Sequence, residues 1–275
     1  MTGFKIGIIG GSGFYDLEEL TEAQEVTVET EFGIPSDNLV TGKIDGVDCV
    51  VLARHGKGHK INPSEVNYRA NIRAMEKLGV THILASTACG SLRENYKPGD
   101  FVILDSFIDR TTKRAQTFHD QASGPNFGRV CHIPMSPAFC DASREIVVAT
   151  GKKLGLTIHE SGTMVTIEGP RFSSKAESLM FQQWGGHVIN MTTVPEVVLA
   201  AEAGLSYVSV AMVTDYDCWR PHSEAVSVEA VMVVLKENVH NVKKLFMETV
   251  KNMGAADWNE VIQKNKAKAK GGVMG

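Results

Sequence analysis

Tyr207-Val208-Ser209-Val210-Ala211-Met212-Val213 runs apolar and β-branched into Thr214-Asp215-Tyr216-Asp217. A run of this kind reads as a strand covered on both faces, as in the parallel sheets of α/β proteins. Two carboxylates follow where the strand emerges, and ligands of open α/β sheets sit outside the carboxyl ends of strands. Residues i and i+2 of a strand share a face, which would bring Asp215 and Asp217 within about 7 Å of each other. A solvated turn or a helix cap is the plainer alternative for the same pair.

Other strand ends repeat the theme. Lys5-Ile6-Gly7-Ile8-Ile9 enters Gly10-Gly11-Ser12-Gly13, a loop whose glycines allow backbone N–H groups to point at an anion. The dinucleotide fingerprint fails because Asp16 stands at its third glycine position, and a P-loop fails for want of G-K-[ST]. Segments 24–30, 39–44 and 47–53 are strand-like, with Asp45-Gly46 marking a hairpin between the last two. The third ends in Arg54-His55-Gly56-Lys57-Gly58-His59, a cationic corner suited to phosphate. A metal on His55 and His59 is disfavoured, since i,i+4 ligands converge only on a helix and Gly56 and Gly58 oppose one.

Asn62 is expected to cap a helix with Pro63 in its first turn. The strand Val80–Ser86 leads into Thr87-Ala88-Cys89-Gly90-Ser91-Leu92, where Cys89 lacks an adjacent base and reads as a small buried filler. The polar stretch 109–134 is a long excursion of the kind tied to function or to a partner. Ile167-Glu168-Gly169-Pro170-Arg171-Phe172 turns into a capping box, Ser174 with Glu177, and Phe172 is either a lid on the core or a platform for a flat ligand. Asn190-Met191-Thr192-Thr193-Val194-Pro195-Glu196 follows another strand as a helix N-terminus, with Thr193 and Glu196 as a second capping box and an anion site beside the threonines. A long helix begins near Ser227, and Lys264 to Lys270 form a solvated, frayed tail.

The 275 residues, 43% hydrophobic and 22% charged with a net charge of −4, suit one α/β domain over 1–255 followed by a tail over 256–275. That charge gives no reason to expect nucleic acid or an anionic membrane as partner. No apolar run approaches the roughly 18 residues of a membrane span, and no signal peptide is expected at the N-terminus. Five widely spaced cysteines, none in C-x-x-C, predict reduced thiols in a cytoplasmic protein (a nucleus included) rather than disulfides or zinc. The pattern offers many anion donors and no activated nucleophile. A bound phosphate could therefore attack, with Asp215 as general acid if burial or Asp217 raises its pKa.

Gly10-Gly11-Ser12-Gly13, Ala53 to Gly56, Thr87 to Leu92, Gly162 to Ser174, Val188 to Leu199 and Ala211 to Trp219, in that order, resemble the trimeric purine nucleoside phosphorylase family, on its methylthioadenosine-cleaving branch. The resemblance implies a single α/β domain with a central mixed β-sheet flanked by helices, assembled as a homotrimer. It implies phosphate, a co-substrate rather than a cofactor, on Ser12, Arg54, His55, Thr87, Ala88 and Thr192. It further implies Met191 against the ribose, the purine on Phe172, Asp215 at N7 and Asp217 in support. Val228 and Val231 would form an apolar 5' pocket, completed by His132 of a neighbouring subunit; no metal is expected. Ser12 stands where the family usually has Thr, and the C-terminal residues are unlike the family's. The rivals are a phosphorylase of 6-oxopurine nucleosides, a hydrolytic nucleosidase, and a purine- or phosphate-binding module without chemistry. The paired aspartates favour a 6-amino purine, and the valines a methylthio group.

Overall fold

The computed structural model describes residues 3–11, 19–120, 129–220 and 228–274. Ser12 lies outside the described residues, as does the side chain of Val228. Four parallel strands form the centre of a mixed sheet: β1 (Ile6–Gly10), flanked by a later strand β4 (Val47–Ala53) and by β5 (His82–Ser91), which in turn pairs with β12 (Ser206–Asp215). On the β4 side the sheet continues antiparallel through β3 (Leu39–Ile44) to β2 (Thr21–Val26). The expected β3–β4 hairpin turns at Asp45-Gly46, both at positive φ.

Beyond β5 the sheet splits. One branch runs through β11 (Val188–Asn190) to β10 (Thr163–Ile167) and β7 (Ser106–Arg110). The other runs from β12 to β6 (Phe101–Ile103) and β9 (Ile158–His159).

Both faces of the central strands are covered, which is why they read as unbroken apolar runs. Ile9, Val50, Leu52 and Ile83 pack with Ile72, Met75 and Val197 beneath α1 (Tyr68–Lys77) and α4 (Thr193–Glu202). Their neighbours Ile8, Val51, Leu84, Val208 and Val210 pack with Val147, Leu245 and Phe246 of α2 (Asp141–Lys153) and α5 (Val228–Gly254). The side-chain period of two thus sends alternate residues to two cores. No helix among the described residues is long and apolar enough to cross a membrane.

Four local expectations change. Helix α1 begins at Tyr68, not at Pro63: Glu65 N–H closes a turn on the Asn62 carbonyl, and Asn67 caps the helix by accepting from Ala70 N–H. Strand β5 runs on through Thr87–Ser91, because β12 pairs with it as far as Gly90. The capping box between Thr193 and Glu196 does not form: Val194 has strand-like φ/ψ, and Glu196 is drawn into the core by Arg54. The lysine tail is helix α6 (Asn259–Gly272), ending in β13 (Val273–Met274), which pairs with β8 (Val130–Cys131). The capping box of α3 (Lys175–Gln183) forms as read, with Ser174 and Glu177.

Candidate active site

The cleft opens where strand pairing along one edge of β5 is interrupted. β1 pairs with β5 no further than Ala85, and β11 joins it only at Gly90. Between these points Thr87 and Ala88 have no strand neighbour on that side among the described residues, and a ligand can approach the backbone there. This is the physical form of a topological switch point.

His55, Thr87, Ala88, Met191, Thr192, Phe172, Val231, Asp215 and Asp217 all line this cleft. It also includes Pro63, Ser173 and Thr214, which the sequence reading did not select. Arg54 and His132 do not line it.

The acid end depends on a bulge. Register between β12 and β5 shifts at Thr214, between the pairs Val213–Cys89 and Asp215–Gly90, and such a bulge re-aims the side chain after it. Asp215 Oδ1 accepts from Asp217 N–H at 2.7 Å, and Oδ2 accepts from the Thr214 hydroxyl at 2.7 Å. Asp217 adopts φ 50°, so a turn and not the strand pleat brings the two carboxyls together. Burial raises the pKa of Asp215; the Thr214 and Asp217 hydrogen bonds oppose this, and the Asp217 charge adds to it. Burial likewise raises Asp217, against the neighbouring Ser178 hydroxyl, and its Oδ2 has no hydrogen-bond partner. Gly90 makes room for the pair: a Cβ there would stand 3.0 Å from Asp215 Oδ1 and 3.3 Å from Asp217 Cβ.

At the other end, Thr87 Oγ1 lies 3.3 Å from Thr192 Oγ1. Asn190, buried and also missed, ties Thr87 to the residue after Thr192 by donating to Thr87 Oγ1 at 3.0 Å and to Thr193 Oγ1 at 2.7 Å while accepting from Thr166. Thr192 precedes α4 without a side-chain hydrogen bond to the first turn. Free N–H groups at a helix start are a favourable place for an anion.

The corner at Arg54-His55 is less cationic than its sequence implies. Arg54 is buried, and Glu196 occupies its fork: Nε donates to Oε2 and Nη2 to Oε1, each at 2.7 Å, while Nη1 donates to the Ser86 carbonyl at 2.9 Å. The bidentate face expected to meet phosphate is therefore taken, and only the remaining Nη1 side approaches the glycine loop, 3.4 Å from where a Gly11 Cβ would be. His55 is pushed down to about 3 by burial and by Arg54, so it is neutral. Its Nδ1 lies 2.9 Å from the Ile61 carbonyl and must donate there, leaving Nε2 as an acceptor. His59 stacks on His55, ring centroids 4.3 Å apart, instead of converging with it on a metal.

Phe172 is 41% exposed, a platform at the cleft and not a lid on the core. Its segment is held to the acid turn by the Cys218 thiol, which donates to the Ser173 carbonyl at 3.2 Å. Gly169, at φ 69°, lets Met191 close on the same segment; a Cβ there would lie 2.5 Å from Met191 Sδ. Cys89 is buried with its thiol pushed well up, inert as expected. Away from the cleft, His119, Cys131 and Glu202 place ligand-type atoms within 4.8 Å of one another. There Glu202 already accepts from Thr117 Oγ1 and Phe118 N–H, and burial pushes the Cys131 thiol up to about 11. His132 is exposed beside β13, its N–H bonded to the Gly272 carbonyl.

A mixed sheet of this order, with an anion corner and an acid pair at its split, suits a phosphorylase, and the Phosphorylase superfamily model matches residues 5–251. The chain belongs to that family. Within it, the chain is 57% identical over 259 residues to the S-methyl-5'-thioadenosine phosphorylase of Anopheles gambiae, covering 94% of this chain and 92% of that protein. It is 56% identical to the Xenopus tropicalis protein of the same name, covering 98% and 96%. The methylthioadenosine phosphorylase of Schistosoma mansoni, solved in complex with adenine, superposes with a TM-score of 0.93 at 45% identity over 98% of each chain.

Proposed function

We propose that this chain catalyses phosphorolysis of S-methyl-5'-thioadenosine to adenine and 5-methylthioribose 1-phosphate. The observation that carries the reading is the pairing, in one cleft, of an anion corner with a half-buried carboxyl whose pKa is raised. The similarity to proteins named for this activity supports it independently.

In this reading phosphate lies against Thr87, Ala88 and Thr192 and donates an O–H to His55 Nε2; Ser12 and Arg54 are assigned to the same anion. The ribose lies on Met191 and the purine on Phe172. A phosphate oxygen attacks C1', the C–N bond breaks, and its electron pair leaves with the purine. Asp215 donates its proton to N7, and Asp217 supports Asp215 through the turn. A carboxyl pair suits a 6-amino group, whose N–H donates, better than a 6-oxo group. Val231, which lines the cleft, faces the apolar 5' substituent.

Inorganic phosphate enters as co-substrate and no cofactor is required. The chain works as a cytoplasmic homotrimer in which His132 completes a neighbour's site. Supporting this, exposed Val130 and Met274 pair across β8–β13 beside exposed His132, an apolar edge suited to a partner. Light scattering should then give about three times the 29.9 kDa chain mass.

The functional assay incubates the protein with methylthioadenosine, inosine and adenosine, each with and without phosphate. Phosphate-dependent release of adenine, fastest from methylthioadenosine, is expected. Release without phosphate would assign a nucleosidase, and preference for inosine the 6-oxopurine branch.

A further inference from the structure

One buried cation outside the cleft binds the main chain of two segments that border it. Arg114, on the excursion after β7, has a side chain only 2% exposed. Its Nη2 donates to the Glu168 carbonyl at 2.6 Å, just before the turn to Phe172. Its Nη1 donates to the Met191 carbonyl at 2.6 Å and the Val194 carbonyl at 2.8 Å, bracketing Thr192. Nη1 also lies 3.3 Å from Tyr68 Oη, which donates onward to the Pro63 carbonyl at 2.9 Å. The charge is balanced by the Glu168 carboxylate, 3.3 Å from Nε. Burial works against that carboxylate, but the Thr112 and Lys113 N–H groups and Arg114 together hold it below its usual range.

We propose that Arg114 is the positioning residue that sets the Met191–Thr192 loop against the Phe172 platform. The inference rests on the phosphorolysis reading, in which these two segments hold the ribose, the phosphate and the base.

The geometry supplies the reason. The Met191–Thr192 peptide is trans, so with its carbonyl on Arg114 its N–H lies on the opposite face of the loop. The Glu168–Gly169 peptide is fixed in the same way. One planar fork therefore orients two peptides that border the cleft, and through Tyr68 it also restrains Pro63. A lysine cannot reproduce this, because an ammonium is a point donor without the fork's fixed geometry. Arg114 reaches no part of the cleft surface itself, so its effect passes through the groups it holds.

The test compares wild type with Arg114→Lys, Arg114→Ala and Tyr68→Phe, the last removing one hydroxyl from the network. Thermal midpoints are recorded beside kcat and the separate KM values for phosphate and methylthioadenosine. Both arginine variants should lose on the order of 10²-fold in kcat/KM, the scale of an ångström-sized misplacement. KM for phosphate should rise and kcat fall, and Tyr68→Phe should shift the same constants less. Added guanidinium, at concentrations that leave the wild type folded, should raise the rate of Arg114→Ala and not that of the wild type. Unchanged constants in folded Arg114→Lys and Tyr68→Phe overturn the proposal. So does a loss that follows the thermal midpoint alone, with no KM change and no guanidinium response. Turnover by the wild type in the same assay keeps failure of this proposal separate from failure of the assigned reaction.

Discussion

Replacing Glu196 by Gln removes one negative charge from a pair that has no access to water: the side chains of Arg54 and Glu196 are 2% and 0% exposed. Both guanidinium bonds to the carboxylate are 2.7 Å long, and Tyr207 adds a third at 2.7 Å to Oε1. Burial alone would depress the Arg54 pKa, and the Glu196 carboxylate more than offsets it. The amide keeps the shape but not the charge, and its NH2 faces an N–H of the fork. Breaking a buried pair from one side costs about 3–5 kcal/mol, because the other charge stays behind unpaired. At roughly 2–4 °C per kcal/mol for a chain of this size, the thermal midpoint should fall by about 6–20 °C. Phosphate, bound in the cleft before Arg54, would return a negative charge to the stranded guanidinium. Its stabilising shift should therefore be larger in Glu196→Gln than in the wild type. Scanning fluorimetry with and without phosphate, at one protein concentration, measures both quantities. A variant within a degree or two of the wild type, or a phosphate shift no larger than the wild type's, would refute the reasoning.

Other perturbations separate chemistry from stability. Asp215→Asn should lower turnover about 10²–10⁴-fold; normal turnover would remove Asp215 as the acid. The same variant should melt higher at neutral pH. A carboxyl whose folded pKa is raised adds stability below its unfolded pKa, near 3.9 for Asp, and loses it as pH rises through the folded value. The gain should accordingly shrink on going to acid. Phe172→Ala should raise KM for the nucleoside about 10- to 100-fold, the worth of stacking one base, with little change in the melting point because the ring is already 41% exposed. Burial holds His82 at about 3, and burial with Arg54 does the same for His55. Stability present above pH 6.5 should therefore be lost as pH falls from there toward 3, in urea titrations across that window.

Features whose cause is local were legible in the sequence. The run 207–213, the Asp45-Gly46 hairpin and the Ser174–Glu177 box each depend on residues within a few positions. The fold class followed from such runs, and the nine cleft-lining residues came from strand ends and the family likeness together. What the sequence hid lies in long-range pairing. Arg54 looked free to take phosphate in its fork, because nothing nearby marks Glu196, 142 positions away, as the fork's occupant. Glu196 in turn looked like a capping residue, a plausible local role that a buried guanidinium outweighs. The Asp215–Asp217 pair was found for an incomplete reason: the bulge at Thr214 depends on register with β5. Asn190 and Arg114 gave no signal, since a polar residue that ties distant segments together looks like any other on its own. Bulge register is equally silent, although Gly90, the residue that makes space for both acids, lies inside a stretch already singled out.

In the proposed reaction phosphate, held beside Thr87 and Thr192, is the nucleophile and Asp215 the acid. Following the reaction with methylthioadenosine by 31P NMR tests it most directly. A new phosphate-ester signal should appear in step with adenine, one for one, and be nearly absent in Asp215→Asn. Adenine released while inorganic phosphate remains the only phosphorus signal would contradict it.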